Sequence, residues 1–166
     1  MSMNPSPNST APPNSPHTPS AATPPAPSAL ETESLRGELA SQIEGEVRFD
    51  DLTRALYATD ASVYQIIPAG VVVPKSREDV IRTVQVCGRH GCSITPRGGG
   101  TAQAGQAVGA GIQLDFSKYL NRVLVLNPGE QWVRVEPGIV LDELNTQLKP
   151  FGLHVPLDIS TSDRAT

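Results

Sequence analysis

Six glycines fall between Gly98 and Gly111, and three of them are consecutive in the string Pro96-Arg97-Gly98-Gly99-Gly100-Thr101. Successive residues without side chains let backbone N–H groups converge, and such a nest binds anionic oxygens, for which a diphosphate is well shaped. The chemistry on offer is retention of a phosphorylated ligand rather than bond breaking. Two familiar phosphate loops fail on the residues. A dinucleotide fingerprint read from Gly98 requires glycine where Gln103 stands. A triphosphate loop read from Gly100 meets Gly105, but then Gln106-Ala107 in place of Lys and Ser or Thr. The glycines also admit a plainer reading as tight corners.

Other residues with chemical potential read as structural. Cys87, His90 and Cys92 sit close together, but their spacing departs from paired-cysteine zinc signatures and Cys87 falls on the apolar face of a helix, so no metal ligand is assigned. A buried thiol is the expectation. His154 lies in a loop and reads as a surface residue, and Asp158 and Asp163 read as loop residues bonding nearby amides. Trp132 starts an alternating segment and is expected to pack.

The elements that must position the glycine loop follow from periodicity. Leu35, Leu39 and Ile43 recur at helical spacing and predict a helix over about 32–44, and Asp51 to Tyr57 predicts a short second helix. Gly70-Val71-Val72-Val73 is a continuous apolar run and predicts an interior strand. Ser76 with Asp79 three residues on suggests a capping box for a helix whose apolar face carries Val80, Ile81, Val84 and Cys87 and which ends at Gly91. Cys92 to Thr95 then reads as a strand, closing a parallel, right-handed strand–helix–strand unit that delivers the chain to the glycines. Beyond them, Ile112 to Phe116 is a predicted strand. Val123–Leu126 and Trp132–Glu136 form a hairpin across the turn Asn127-Pro128-Gly129-Glu130. Val140, Leu141, Leu144 and Leu148 mark an amphipathic helix that stops near Pro150 and Gly152.

Composition sets the outer limits. The 166 residues suffice for one domain with a core, and a net charge of -4 argues against a nucleic-acid binder, which needs a basic face. No apolar run approaches the length of a membrane span, no secretory signal is recognisable, and two cysteines make no disulfide framework, so a reducing cytoplasm is the expected compartment. Residues 1–29 hold nine of the 16 prolines and no charged residue, which predicts a disordered tail; a polyproline ligand for a partner domain is the other reading. Residues 30–56 read as a helical lead-in and 57–166 as the globular part. The chain ends in polar loop residues, Ser160 to Thr166, which suggests a domain cut short.

Several motifs taken together carry a resemblance. Thr95 to Thr101, Gly105-Gln106-Ala107, Trp132-Val133-Arg134-Val135-Glu136-Pro137-Gly138, Leu148-Lys149-Pro150-Phe151-Gly152 and Ser160-Thr161-Ser162 are similar to the FAD-binding domain of the vanillyl-alcohol oxidase and p-cresol methylhydroxylase superfamily. The match runs from about Tyr57 to Thr166. It most resembles the FAD-linked D-2-hydroxy-acid dehydrogenases: glycolate oxidase flavin subunits, D-lactate dehydrogenases and bacterial D-2-hydroxyglutarate dehydrogenase-like proteins with a downstream iron–sulfur region. The resemblance implies an α+β fold, the first subdomain of a PCMH-type domain ahead of a second. It implies that the amides of Gly98, Gly99, Gly100 and Thr101 hold the FAD pyrophosphate, that the Thr101 hydroxyl adds a bond, and that Ser160, Thr161 and Ser162 approach from the other side. Arg97, Gly105, Gln106 and Thr166 join this cofactor-binding set. Several superfamily members bond flavin covalently through a histidine where Thr101 stands, so FAD is expected to bind noncovalently here. The implied reaction is oxidation of a 2-hydroxy acid to a 2-keto acid, with electrons passed to a further acceptor that could hold the enzyme at the inner membrane. Substrate clamp and base lie in a later domain of the family, so no catalytic residue is assigned. A nucleotide-binding module without turnover is the alternative.

Overall fold

The computed structural model describes residues 29–166. The tail assigned to 1–29, with His17, lies outside them except for Ala29.

A four-stranded sheet forms the larger layer. Its strands are β1 (Glu46–Arg48), β2 (Gly70–Val73), β3 (Ile94–Arg97) and β4 (Ile112–Asp115), in the order β1-β2-β4-β3. β2 and β3 both run parallel to β4, and β1 runs antiparallel to β2. The expected strand–helix–strand unit is therefore parallel, but its two strands are not neighbours, because β4 is inserted between them. Pro96 is tolerated in β3 because that strand is an edge, where a missing donor costs little. β1 was not foreseen: three residues are too short to show a period of two.

Two helices, α1 (Ala29–Gln42) and α3 (Arg77–Arg89), bury one face of the sheet. Leu35 and Leu39 of α1 and Val86 and Cys87 of α3 pack with Val72, Ile112 and Leu114. Strand side chains alternate between faces, so the buried Val71, Gln113 and Asp115 point the opposite way. The short helix α2 (Asp51–Leu56) is capped by Asp50, whose carboxylate accepts the Thr53 N–H at 2.9 Å.

The second layer is a hairpin with a helix on it. β5 (Val123–Asn127) and β6 (Trp132–Val135) pair antiparallel, and α4 (Leu141–Leu148) is followed by a single 3-10 turn, Lys149–Phe151. Ile139, Leu144 and Leu148 pack on Val123, Leu126, Val133 and Val135. Trp132 does not pack as expected: it alternates away from that core, is 41% exposed, and donates its indole N–H to Glu130 at 2.7 Å.

Three details of α3 depart from expectation. Its buried face holds Asp79, Thr83, Val86 and Cys87, whereas Ile81 and Val84 are exposed, because packing against α1 selects the stripe one position away. Ser76 caps the helix by accepting from the Asp79 N–H at 3.1 Å, but Asp79 does not reach back to Ser76. Its carboxylate instead accepts from Glu44 N–H at 3.0 Å and Lys75 N–H at 2.8 Å, tying two loops together. Finally, the strand expected at Cys92 begins at Ile94, since Cys92 still belongs to the helix terminus: its N–H bonds the Cys87 carbonyl at 2.9 Å.

Candidate cofactor site

The glycine loop leaves the carboxyl end of β3, where open α/β sheets present their ligand sites. The N–H groups of Gly98, Gly99, Gly100 and Thr101 have no hydrogen-bond partner within the described chain. Two carbonyls beside them are bound: the Gly100 carbonyl accepts from Ala61 N–H at 3.2 Å and the Arg97 carbonyl from Phe116 N–H at 3.0 Å. Four successive amides thus stay available in a loop anchored at both of these carbonyls, the donor set that a dinucleotide's linked phosphates require.

A second loop closes on the first. Residues 160–166 form a turn in which the N–H groups of Arg164 and Ala165 bond the Thr161 carbonyl at 2.9 and 2.8 Å. That turn is seated on the start of α4, which has no side-chain cap. Leu141 N–H donates to the Ala165 carbonyl at 2.9 Å and Asp142 N–H to the Ser162 carbonyl at 3.1 Å, so the turn serves as the cap. A Cβ at Gly98 would stand 1.8 Å from the Thr166 hydroxyl oxygen, and one at Gly99 would stand 2.2 Å from the Arg164 carbonyl. The absent side chains therefore let the two loops meet, a use of glycine that the sequence reading, concerned with ligand approach, did not separate out. Thr161 and Ser162 are half-buried, while Ser160 and Thr166 are exposed.

Arg97 braces the site from behind. Its guanidinium donates to the carbonyls of Thr59 at 2.8 Å, Ala107 at 3.0 Å and Tyr57 at 3.4 Å, and stacks over the Tyr57 ring at 5.2 Å. The guanidinium is thus spent on backbone carbonyls, the geometry of a brace rather than of an ion pair with a phosphate. Gln106 likewise shapes its own loop, its side-chain oxygen accepting from Ala104 N–H at 3.3 Å, and Gly105, in left-handed backbone at φ +81°, packs by Tyr64.

Sequence reasoning missed the segment that holds these groups. Asp60 accepts from Ser62 N–H at 2.9 Å and from Ala107 N–H at 3.2 Å; the Ser62 bonds hold its carboxyl below the usual carboxylate range. The phenol of Tyr57 donates to Asp115 at 2.5 Å, and burial, followed by that carboxylate, pushes its acidity well down. The only available signal was the Asx-turn spacing of Asp60 and Ser62. Among the described residues no group of three or more His, Cys, Asp or Glu is placed to hold a metal.

With this geometry in place, a family model for an FAD binding domain matches residues 68–166. The chain belongs to that family. This FAD-binding domain is 42% identical over 144 residues to a D-2-hydroxyglutarate dehydrogenase of Pseudomonas putida, a match covering 85% of this chain and 14% of that enzyme. It is 46% identical over 116 residues to the D-2-hydroxyglutarate dehydrogenase of Escherichia coli, covering 68% of this chain and 11% of that one. The structure of p-cresol methylhydroxylase with substrate bound superposes with a TM-score of 0.68 at 19% identity, over 80% of this chain and 27% of that one. The domain therefore has the expected α+β fold of the p-cresol methylhydroxylase type. No helix of the described residues is long and apolar enough to cross a membrane.

Proposed function

We propose that this FAD-binding domain holds the FAD pyrophosphate in an enzyme that oxidises a D-2-hydroxy acid to the 2-keto acid. The observation that supports it is the run of four partnerless amides from Gly98 to Thr101, on a loop against which residues 160–166 close. The names of the relatives supply the substrate class. FAD, when bound, supplies the acceptor for the hydride removed from the alcohol carbon. The chain's own part is positional. Amides of Gly98, Gly99, Gly100 and Thr101 donate to phosphate oxygens, the Thr101 hydroxyl adds a donor, and the hydroxyls of Ser160, Thr161, Ser162 and Thr166 offer more from the facing loop. Threonine at position 101 has no nucleophile suited to flavin attachment, which favours noncovalent binding. Base, substrate clamp and electron acceptor, including any iron–sulfur region, belong to other parts of the enzyme. Free thiols at Cys87 and Cys92 accord with a reducing compartment such as the cytoplasm.

The test uses the full-length protein. Purified enzyme is expected to be yellow and to bleach without oxygen when D-2-hydroxyglutarate, D-lactate or glycolate is added. Gly99→Val, which drives a side chain into the Arg164 carbonyl, is expected to release FAD while leaving the far-ultraviolet circular dichroism unchanged. Colourless protein that ignores added FAD and is indifferent to Gly99→Val would sink the assignment. Protein that keeps its FAD but never bleaches would leave the binding role and remove the reaction.

A further inference from the structure

The carboxyl end of α3 is a Schellman motif. Gly91, in left-handed backbone at φ +60°, donates its N–H to the Gly88 carbonyl at 3.3 Å, and Cys92 N–H donates to the Cys87 carbonyl at 2.9 Å. This motif brings together the side chains of its first and sixth residues, a contact that is ordinarily apolar. Here both positions are cysteine. Cys92 packs against the core cluster that holds Cys87, and both thiols are free. Cys87 is fully buried at 0% exposure, walled in by the core beneath α1, whereas Cys92 is half-buried and opens toward solvent. His90, the third member of this cluster, is turned to α1, where its Nε2 meets Glu38 at 2.7 Å.

We propose that Cys87 and Cys92 form a dithiol that a hydroperoxide oxidises to a disulfide. Cys92 is the attacking sulfur because it alone has access to solvent. Its thiolate attacks one peroxide oxygen, the O–O bond breaks as the S–O bond forms, and hydroxide leaves. The Cys87 sulfur, losing its proton, then displaces the hydroxyl from the Cys92 sulfenic acid as the S–S bond closes. In sum, two thiols lose two electrons and two protons, and hydrogen peroxide becomes two waters. The neighbouring Cys87 thiol lowers the Cys92 thiol to about 7, which favours the attacking thiolate, and that neighbour together with burial raises Cys87. As a neutral thiol, Cys92 instead donates to the Ser93 carbonyl at 3.5 Å.

Trypsin cleaves after Arg82, Arg89 and Arg97, so the two cysteines fall in separate peptides, 83–89 and 90–97. The full-length, FAD-loaded protein is treated with hydrogen peroxide, quenched with an alkylating agent, digested and mapped by mass spectrometry, with flavin retention checked beforehand. The expected result is a cross-linked peptide pair, lighter by two hydrogens than the two free peptides and reversed by dithiothreitol. In Cys87→Ser, Cys92 is expected to advance to sulfinic acid without cross-linking. If that variant does not fold, the native map decides alone. Three results would overturn the proposal: Cys92 reaching sulfinic acid uncrosslinked in the native protein, neither cysteine reacting, or a cross-link that forms only after flavin has been lost.

Discussion

Arg97 precedes three glycines in the loop proposed to hold phosphate, yet its charge is directed backward, to the carbonyls of Thr59, Ala107 and Tyr57. A planar fork of donors can satisfy several carbonyls at once, whereas a lysine offers a single point of charge. Arg97→Lys should therefore loosen the loop without removing positive charge. The expected effect is an FAD dissociation constant raised about tenfold, equivalent to about 1.4 kcal/mol. Flavin fluorescence titration of the full-length protein checks it, and unchanged affinity would mean that the brace is dispensable. Asp60 works in the same frame by holding the Ala107 amide.

Among the elements, α3 is secured less by its cap than by Asp79, a carboxylate at 3% exposure shared between the amides of Glu44 and Lys75. Asp79→Ala leaves both amides without partners in a part-buried setting. A loss of about 2–4 kcal/mol of stability is expected, read as a lower urea midpoint in the full-length protein. The short β1 is held at the sheet edge by Glu46, to which Lys118, Tyr119 and Arg48 all donate. Hydrogen bonds from Lys118 first, then Tyr119 and Arg48, bring its pKa down from 4.5 to about 2. A carboxylate depressed on folding contributes stability that is complete above the unfolded value and is lost as pH falls toward the folded one. Between pH 4.5 and about 2, the urea midpoint should fall more steeply in the native protein than in Glu46→Gln. Parallel curves for the two would show that the cluster contributes nothing.

At the scale of the molecule, two small cores lie side by side, and considerable apolar surface remains outside them. Leu52, Leu56 and Val63 are 71%, 66% and 95% exposed, and Ile81, Val84, Leu124 and Phe151 are also open to solvent. Surface of that kind favours association. The isolated 166-residue chain is expected to bind a hydrophobic dye and to melt over a broad range. A sharp, concentration-independent calorimetric transition would contradict this. The chain spans 14% and 11% of the two D-2-hydroxyglutarate dehydrogenases it matches, so most contacts of such an enzyme involve other residues.

Local rules made most elements legible. The all-apolar run at Gly70–Val73, the turn between β5 and β6, the spacing of Leu141, Leu144 and Leu148, and Gly91 as a helix terminus each express short-range preference or a single buried face, and each appears where the residues indicate. The quoted motifs together also identified the family. What the residues could not settle depended on distant partners. Which stripe of α3 is buried was decided by α1, and the strand order by the return of β4 between β2 and β3. The carbonyls that Arg97 satisfies, and the meeting of Gly98 and Gly99 with residues 164–166, were likewise fixed only by folding. Periodicity records that a face is apolar or a backbone unhindered; it carries no address for the group, tens of residues away, that packing brings against it.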